Sequence, residues 1–485
     1  MDRNNRNSIN KDEPIYTVKR HPVVQCLSLI FKLIVSLCAI TAQADPNSDN
    51  REFQEWLKQE DQDLKQFISK EDQEFADFLK KEWTAFQVFQ GKIRPTKPKP
   101  ARPPRVTHAL ATLIQPGTAT HGARQLDAAL LKGRFFGHVL APLRVPVTTL
   151  PPLRGSQNQA IASSWEVLAN QDHQALLAEL EKHRTKLGLG DWGYLQLTLY
   201  FLQPLFPDRN ERLVYAWFLM NKSGYDVRLG YSERAFTLLI PSRYPLYSVR
   251  YSEIGDKTYY MYPQLEDAEV YSYEDHVDEY LDTFQFDLSR LPASSALSQR
   301  LELKVQVSDS EFVLPVELDP GQIAFRREYP NLDLVWYFRG QMLADTDTVF
   351  LDSLRPHLEG LSQRQAVDFL IQLTQALFSY KTDQEQFGTE KYLMADESFF
   401  YSYNDCEDRS IFLAWLLTKL VNIQPIILDY PNHIALAVPI NLRPSDQYIE
   451  YEGHKYVIAD PTYIGAKSGM GMPDLAQVEP NVIVP

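Results

Sequence analysis

The chain has 485 residues, which is room for about three domains of ordinary size and excludes a single small module. Apolar residues make up 44% and charged residues 23% of the chain, as in folded globular proteins. Acidic residues outnumber basic ones by 63 to 49, and the formal net charge is -14. This acidity argues against a dedicated nucleic-acid-binding protein, so no nucleic-acid partner is expected.

The first 44 residues have the pattern of a secretory signal peptide. Residues 19–21 are basic, residues 33–40 form a short apolar run, and Ala42 and Ala44 provide the small residues of a cleavage site. Cleavage after Ala44 predicts an exported protein that is periplasmic or associated with the cell envelope. A retained signal anchor is the alternative, although Lys32 interrupts its apolar stretch. Cleavage removes two of the three cysteines and leaves Cys406.

Residues 53–90 repeat with a period of 11, which is three helical turns at about 3.67 residues per turn. The repeat predicts an amphipathic helix over residues 45–92, with an apolar stripe formed by Phe53, Trp56, Leu57, Leu64, Phe67, Ile68, Phe75, Phe78, Leu79, Phe86 and Phe89. Such a stripe needs a partner. The protein's own body, a second copy and an envelope protein are the candidates, and we expect association while the catalytic domain folds independently of the helix.

Residues 93–105 break the helical pattern with five prolines and five basic residues. Polyproline II rises about 3.1 Å per residue, so this segment predicts a stiff linker roughly 40 Å long. Contact between its basic residues and an anionic envelope polymer is the alternative use.

The residues that suggest chemistry lie near the C-terminus. Cys406 follows Asn404 and Asp405, which are helix-capping residues, and precedes a run of apolar residues that predicts a buried helix. A cysteine in the first helical turn is favoured as a thiolate by the helix dipole. His433 opens a predicted strand and Asp460 ends the next one. A nucleophile, a base and an orienting carboxylate therefore come from three successive elements.

Three blocks carrying these residues, NDCEDRSIFLAWLL, YPNHIALAV and YVIADPTYIGA, resemble the transglutaminase-like superfamily of papain-like fold. The resemblance covers residues 362–485 and implies a catalytic domain over residues 353–485. It implies Cys406 as the nucleophile, His433 as the general base and acid, and Asp460 as the carboxylate that orients the imidazole. The family includes cross-linkers, deamidases and proteases, so the resemblance implies a protein or peptide substrate without fixing the product.

Three further residues are candidates for supporting roles. Gln386 and Tyr403 precede the cysteine and are candidate oxyanion donors, and Asp408 is a candidate partner behind the triad. Packing and solvent contact are the alternatives for the first two. Helix first turns favour acids in any case, which is the alternative for Asp408. Calcium serves the animal cross-linkers of the family, but the sequence has no loop of the calcium-binding pattern, so we expect no metal and no cofactor.

Residues 106–270 have the pattern of a degenerate copy of the catalytic domain. At a constant offset of 198, seven or more residues are identical, including Trp217 with Trp415 and Leu238 with Leu436. The triad positions at this offset are Asp208, Ala235 and Tyr262, so this half is predicted to lack catalysis and to bind a partner or substrate. Chance similarity between two apolar patterns is the alternative. Residues 271–352 predict a β-rich, sandwich-like module, because residues 301–318 alternate with period two and LDLVWYF predicts another strand.

The sequence therefore predicts an α+β protein with two hypotheses for its function. The first is an exported thiol enzyme that acts on amide bonds of envelope proteins or peptides through a thioester, with hydrolysis favoured over cross-linking. The second is a non-enzymatic envelope scaffold that retains a transglutaminase-like fold for binding.

Overall fold

A computed structural model describes residues 46–81, 83–91, 120–125, 128–146, 148–153, 157–233, 235–274, 281–288, 292–295, 297–308, 310–339 and 344–485. The predicted signal peptide, residues 1–44, and the predicted linker, residues 93–105, lie outside these described residues. The chain divides into two compact units. One contains residues 1–71 and 277–282, and the other contains residues 72–276 and 283–485.

The protein is a mixed α+β structure with an N-terminal helix. The described α-helices are α1 (Pro46–Leu79), α2 (Gln157–Ala169), α3 (His173–Leu187), α4 (Asp191–Leu202), α5 (Arg209–Lys222), α6 (Pro320–Arg327), α7 (Leu334–Arg339), α8 (Ala344–Leu358), α9 (Gln363–Leu377), α10 (Asp383–Gln386), α11 (Glu397–Phe400) and α12 (Cys406–Val421). A short 3₁₀-helix, Pro473–Leu475, follows them.

The strands form several antiparallel sheets. They are β1 (Thr84–Gln87), β2 (Thr120–Gln125), β3 (Ala128–Lys132), β4 (Arg134–Phe135), β5 (His138–Val139), β6 (Leu143–Pro146), β7 (Arg228–Tyr231), β8 (Phe236–Pro241), β9 (Tyr251–Ile254), β10 (Lys257–Tyr262), β11 (Glu269–Ser272), β12 (Gln299–Val307), β13 (Ser310–Leu318), β14 (Ile426–Tyr430), β15 (His433–Val438), β16 (Tyr448–Tyr451), β17 (His454–Ala459) and β18 (Asn481–Ile483).

A six-stranded sheet forms a near-barrel in the N-terminal half, in the order β1-β11-β7-β8-β10-β9. Phe89, just after β1, pairs with Tyr251 in β9 and so brings the two edges of the sheet together. The helix α5 packs against β7 and β8. It is apolar around most of its circumference, with Val214 to Met220 all buried, because it lies between this sheet and the neighbouring helices.

A five-stranded sheet forms a half-barrel in the C-terminal half, in the order β16-β17-β15-β14-β18. The helix α12 packs against β15 and against α9. Alternate residues of β15 divide between its two faces: Leu436 joins the main core, which includes α12 residues, while Ala435 and Ala437 join a smaller apolar cluster. This division is the expected result of the two-residue period of a strand.

The two halves share one topology. A helix and four strands follow in the same order, and the sheet order β7-β8-β10-β9 corresponds to β14-β15-β17-β16. The pairing of Leu229 with Leu238 matches that of Ile427 with Leu436 at the offset of 198. At the start of the helix and in the β9–β10 hairpin, however, the offset is 197. The ungapped alignment is therefore wrong by one residue at these places, and common descent of the halves stays a prediction.

The prediction that the repeat helix runs to residue 92 is wrong beyond Leu79, where α1 ends. Phe86 lies in β1, opposite Val270 of β11, instead of on the helix. Residues 84–87 pair with β11 along their whole length, and this pairing satisfies their backbone groups, so the sheet overrides the helical period. Trp56 and Phe67, in the first part of α1, are 41% and 58% exposed.

The last turns of α1 belong to the protein core. Phe75 and Leu79 are buried, and the ring of Phe75 meets that of Trp165 edge-on at 4.5 Å. The buried carboxylate of Asp72 accepts a hydrogen bond from Trp165 Nε1 at 3.0 Å and pairs with Lys222. Residues 72–91 are thus part of the folded N-terminal half, contrary to the prediction that residues 45–92 form a separate association helix.

The prediction of a β-rich module over residues 271–352 is largely wrong. Its described strands are the last residues of β11 and the single hairpin β12–β13, and the segment LDLVWYF contains the helix α7. Asp319 caps α6 with its side chain instead of forming a strand-ending turn. The hairpin packs on α8 and α9, so its alternating pattern serves a two-layer contact with helices.

Among the described helices, none is both long enough and apolar enough to span a membrane.

Candidate functional site

Cys406 is the first residue of α12, as its flanking residues predict. Asp405 is the N-cap, and its carboxylate accepts a hydrogen bond from the backbone N–H of Asp408 at 3.5 Å. The Asp408 carboxylate in turn accepts one from the backbone N–H of Asp405 at 3.3 Å, which completes a capping box. The capping box fixes the first helical turn and therefore the position of the thiol.

The hairpin β14–β15 and the strand β17 bring His433 and Asp460 together. Tyr430 pairs with His433 across the hairpin turn, where Asn432 has a positive φ of 66°. The strands β15 and β17 are antiparallel, with Leu436 opposite Ala459. Continuing this register places Asp460 diagonally across from His433, on the same face of the sheet. The His433 Nε2 atom is 2.9 Å from Asp460 Oδ2. The Ser410 hydroxyl donates to the Ile434 carbonyl at 3.1 Å and ties α12 to the same strand.

Asp460 is held in place by backbone hydrogen bonds. Its Oδ1 atom accepts from the backbone N–H groups of Thr462 at 2.8 Å and Tyr463 at 3.2 Å. Burial by itself would lower the pKa of His433, but the charge and hydrogen bond of Asp460, together with the adjacent Cys406, outweigh it and raise the pKa to about 10. The imidazole is therefore protonated at neutral pH, with Asp460 as its counter-ion.

Cys406 lies close enough to His433 for the thiol to contribute to that raised pKa. Since Nε2 faces Asp460, Nδ1 is the ring nitrogen left for the thiol, and it is buried without a well-aligned hydrogen bond among the described residues. The thiol instead donates to Glu407 Oε2 at 3.1 Å. The structure thus brings the three predicted triad residues together, with the thiol directed to a neighbouring carboxylate.

The two predicted oxyanion residues contact each other. The Gln386 side-chain amide donates to the backbone carbonyl of Tyr403 at 3.0 Å, and the ammonium of Lys381 lies 4.0 Å from the centre of the Tyr403 ring. These contacts support the packing alternative for Gln386, because its donor is engaged by the chain itself.

Asp408 is fully buried among acidic neighbours. Its Oδ1 atom accepts from the backbone N–H of Leu393 at 2.9 Å. Burial, followed by the nearby charges of Asp405 and Asp383, raises the pKa of Asp408 well above its usual range. Oxygens of these three carboxylates lie within 4.8 Å of one another, so they are the residues that could hold a cation. Backbone N–H groups already contact all three side chains, which accounts for their burial without an ion.

Several residues around the thiol were not among the predicted site residues. Glu407 is fully buried and accepts a hydrogen bond from the thiol. Arg409 is fully buried and donates to the Phe378 carbonyl at 2.7 Å, and its guanidinium lies 5.5 Å from the ring centre of Tyr380. Tyr380 is near enough to Cys406 for the thiol to help raise the pKa of its hydroxyl. The sequence did carry one signal for these residues. Four charged or reactive residues, 406–409, open an otherwise apolar helix, and such residues are rarely buried unless they contact one another.

The triad is closed to solvent in this structure. Cys406 is 0% exposed, and His433 and Asp460 are each 1% exposed. A cavity of about 260 Å³ is lined by Asp460 and by Tyr430, whose ring stacks on His433. Access of a substrate to the sulfur therefore requires side chains to move.

Comparison with protein-family models, with curated proteins and with solved structures gives no match to this chain.

Proposed function

We propose that the protein is an exported, transglutaminase-like thiol enzyme that acts on amide bonds of proteins or peptides. The observation that carries the proposal is the position of Cys406 at the start of a buried helix, beside an imidazole that is paired with Asp460 at 2.9 Å. A nucleophile, a proton donor and an orienting carboxylate in this order are the requirements of acyl transfer through a cysteine.

In the proposed reaction, the Cys406 thiol gives its proton to the Glu407 carboxylate that accepts its hydrogen bond, and the resulting thiolate adds to the carbonyl carbon of an amide. His433 gives its proton to the departing amine nitrogen, the C–N bond breaks, and a thioester remains on Cys406. Water then adds to the thioester while His433 accepts its proton, and the carboxylic acid leaves as the thiolate reforms. A primary amine in place of water would give a cross-link, but hydrolysis is the proposed outcome because water is the more abundant acceptor.

The oxyanion of the intermediate requires donors near the first turn of α12. The backbone N–H of Cys406 is available at the helix N-terminus. Burial, followed by the charges of Cys406 and Asp405, raises the pKa of Tyr380, so its hydroxyl keeps its proton and can donate. We propose Tyr380 as the side-chain donor because its hydroxyl is protonated and lies near Cys406. The Gln386 amide donates to the Tyr403 carbonyl.

A non-enzymatic scaffold is the second candidate, and one observation favours it. The sulfur is fully buried, and the thiol donates a hydrogen bond to Glu407. On this alternative the triad is a structural network that stabilises the sheet and does not meet a substrate.

The exposed part of α1 extends the proposal to partners. Trp56, Leu57 and Phe67 present apolar surface there, although the adjacent polar residues are mostly charged. We propose that residues 46–71 associate with an envelope protein or with a second copy of the chain.

Alkylation and acyl trapping distinguish the two functions. In the protein lacking residues 1–44, Cys406 is the single cysteine, so a mass shift reports on it alone. We expect native protein to react with iodoacetamide and to form an acid-trappable thioester with a peptide that contains glutamine. Cys406→Ser is the matched control. A native protein that resists alkylation, reacts only after unfolding and gives no thioester contradicts the enzyme and supports the scaffold.

A further inference from the structure

A second cavity lies in the N-terminal half, at the end of α5 where the chain enters that helix. Its volume is about 310 Å³, which is within the range of small-ligand sites. Arg209 and Arg212 line it from the first turn of α5, Tyr200 lines it from α4, and Tyr262 lines it from the end of β10. Three separate elements thus converge on one space.

This cavity occupies the place that the triad occupies in the other half. Asp208 caps α5 as Asp405 caps α12, so Arg209 is the first helical residue where the C-terminal half has Cys406. Tyr262 ends β10, whereas Asp460 directly follows the end of β17. The corresponding position is therefore an open, arginine-lined cavity in one half and a buried triad in the other. The residue that corresponds to Cys406 is therefore Arg209. The constant offset of 198 had predicted Asp208.

The lining is rich in hydrogen-bond donors and carries net positive charge. Arg209 and Arg212 are three residues apart and lie on the same side of the helix. The charge of Asp208 reaches Arg212, but its carboxylate is not part of the lining and accepts from the backbone N–H groups of Asn210 at 2.8 Å and Glu211 at 3.1 Å. The single acid in the lining, Glu328, is exposed and pairs with Arg327 at 3.3 Å.

Two further observations indicate a ligand. Tyr200 is 5% exposed, yet its hydroxyl makes no well-aligned hydrogen bond among the described residues, although the Arg134 backbone lies nearby. Burial, and next the charge of Arg209, lowers the pKa of Arg212, as expected for two cations that share a small space. An anion with several oxygen atoms would accept a hydrogen bond from the buried Tyr200 hydroxyl. It would also offset the charge of the two adjacent arginines.

We propose that this cavity binds a carboxylate group of a peptide, held by Arg209 and Arg212 with the Tyr200 hydroxyl as a further donor. A carboxylate is planar and accepts paired hydrogen bonds from a guanidinium. Its source is either the C-terminus of a peptide or an acidic side chain, and the two present the same group. The site goes beyond the proposed chemistry at Cys406 and stands whether or not that chemistry occurs.

Binding of three short peptides tests the proposal. Acetyl-Ala-Ala acid carries a terminal carboxylate, acetyl-Ala-Glu amide carries a side-chain carboxylate, and acetyl-Ala-Gln amide carries neither. Binding is measured by calorimetry on the full-length Cys406→Ala variant. This variant cannot turn the peptides over, so the result does not depend on whether the proposed enzyme activity exists. We expect at least one acid to bind at least tenfold more tightly than the neutral peptide. The acid that binds identifies the source of the carboxylate.

Arg209→Gln in the same background is the decisive variant, because Arg209 is exposed and its replacement leaves the core unchanged. We expect it to weaken binding of the acid by tenfold or more. Arg300→Gln, an exposed arginine on β12, is the control and should leave binding unchanged. Equal binding of the acid and neutral peptides, no binding of either acid, or equal effects of the Arg209 and Arg300 variants would overturn the proposal.

Discussion

The N-terminal and C-terminal halves place different chemistry on one arrangement of a helix and four antiparallel strands. In the C-terminal half, the start of α12 is sealed and brings a thiol, an imidazole and a carboxylate together with all three less than 2% exposed. In the N-terminal half, the start of α5 borders a cavity of about 310 Å³ with two arginines. The same helix N-terminus can favour a thiolate in one half and an anionic ligand in the other. The two halves therefore differ in the residues at the helix start, while the sheet order stays the same.

The comparison predicts that covalent chemistry resides in the C-terminal half alone. We expect Cys406→Ala to lower ammonia release from a peptide that contains glutamine by roughly 10³-fold or more, because the covalent route is lost. The circular dichroism spectrum should not change, since alanine fits the space of the thiol. Full activity in the variant would show that Cys406 is not the nucleophile.

The pairing of Asp460 with His433 has no counterpart in the N-terminal half, and it is expected to control the reactivity of Cys406. Asp460→Asn removes the charge that raises the pKa of His433, so the imidazolium is lost at neutral pH. We expect thioester formation to slow by about 10² to 10⁴-fold, and the NMR titration of His433 to move to lower pH. Asp474→Asn, an exposed acid in the same domain, is the control. An unchanged titration would contradict the proposed pairing.

The two ends of α1 should differ in their effect on stability. Asp72 and Asp61 are eleven residues apart on the helix, but Asp72 is 6% exposed and contacts Trp165 and Lys222, whereas Asp61 pairs with Lys65 in solvent. We expect Asp72→Ala to lower the free energy of unfolding by about 1 to 3 kcal/mol, and Asp61→Ala by less than about 1 kcal/mol. Denaturant unfolding measures both. Equal effects would show that α1 is not anchored at its C-terminal end.

The raised pKa of His433 also predicts how stability changes with pH. Between the unfolded value of about 6.5 and the folded value of about 10, the folded state holds a proton that the unfolded state has lost. This contribution to stability is therefore complete below pH 6.5 and is lost as the pH rises toward 10, at up to about 1.4 kcal/mol per pH unit. Unfolding midpoints of the native protein and of Asp460→Asn over this range should diverge at the acidic end. Parallel curves would argue against a buried imidazolium.

The smallest effect on the site is expected from removal of residues 45–71. Residues 72–91 contribute Phe75 and Leu79 to the core and β1 to the edge of the N-terminal sheet, so a truncation that stops at residue 71 should leave alkylation of Cys406 unchanged. We expect it to alter the mass measured by light scattering or the set of envelope proteins that co-purify. A truncation to residue 92 should instead destabilise the N-terminal sheet. If both truncations behave alike, the boundary at residue 71 is wrong.

The local elements of the candidate site follow from the amino-acid sequence by itself. The capping residues and apolar run predicted a helix that begins at Cys406, and short apolar segments predicted the strand that His433 opens and the strand that ends at Asp460. These signals depend on neighbours within a few residues, so they can be read from the chain alone. The repetition between the halves also indicated the matching sheets, although one-residue shifts escaped an ungapped comparison.

The tertiary structure decided where local patterns compete and which distant residues meet. Residues 84–89 fit both the 11-residue repeat and a strand, and pairing of Phe86 with Val270 favoured the strand. The segment LDLVWYF is apolar enough for a strand, but α7 packs as a helix against α12. The contact of the thiol with Glu407 depends on side-chain direction, and the cavity at Arg209 depends on Tyr200 and Tyr262 arriving from separate elements. Because long-range contacts carry the free energy that resolves such conflicts, no local pattern could have predicted them.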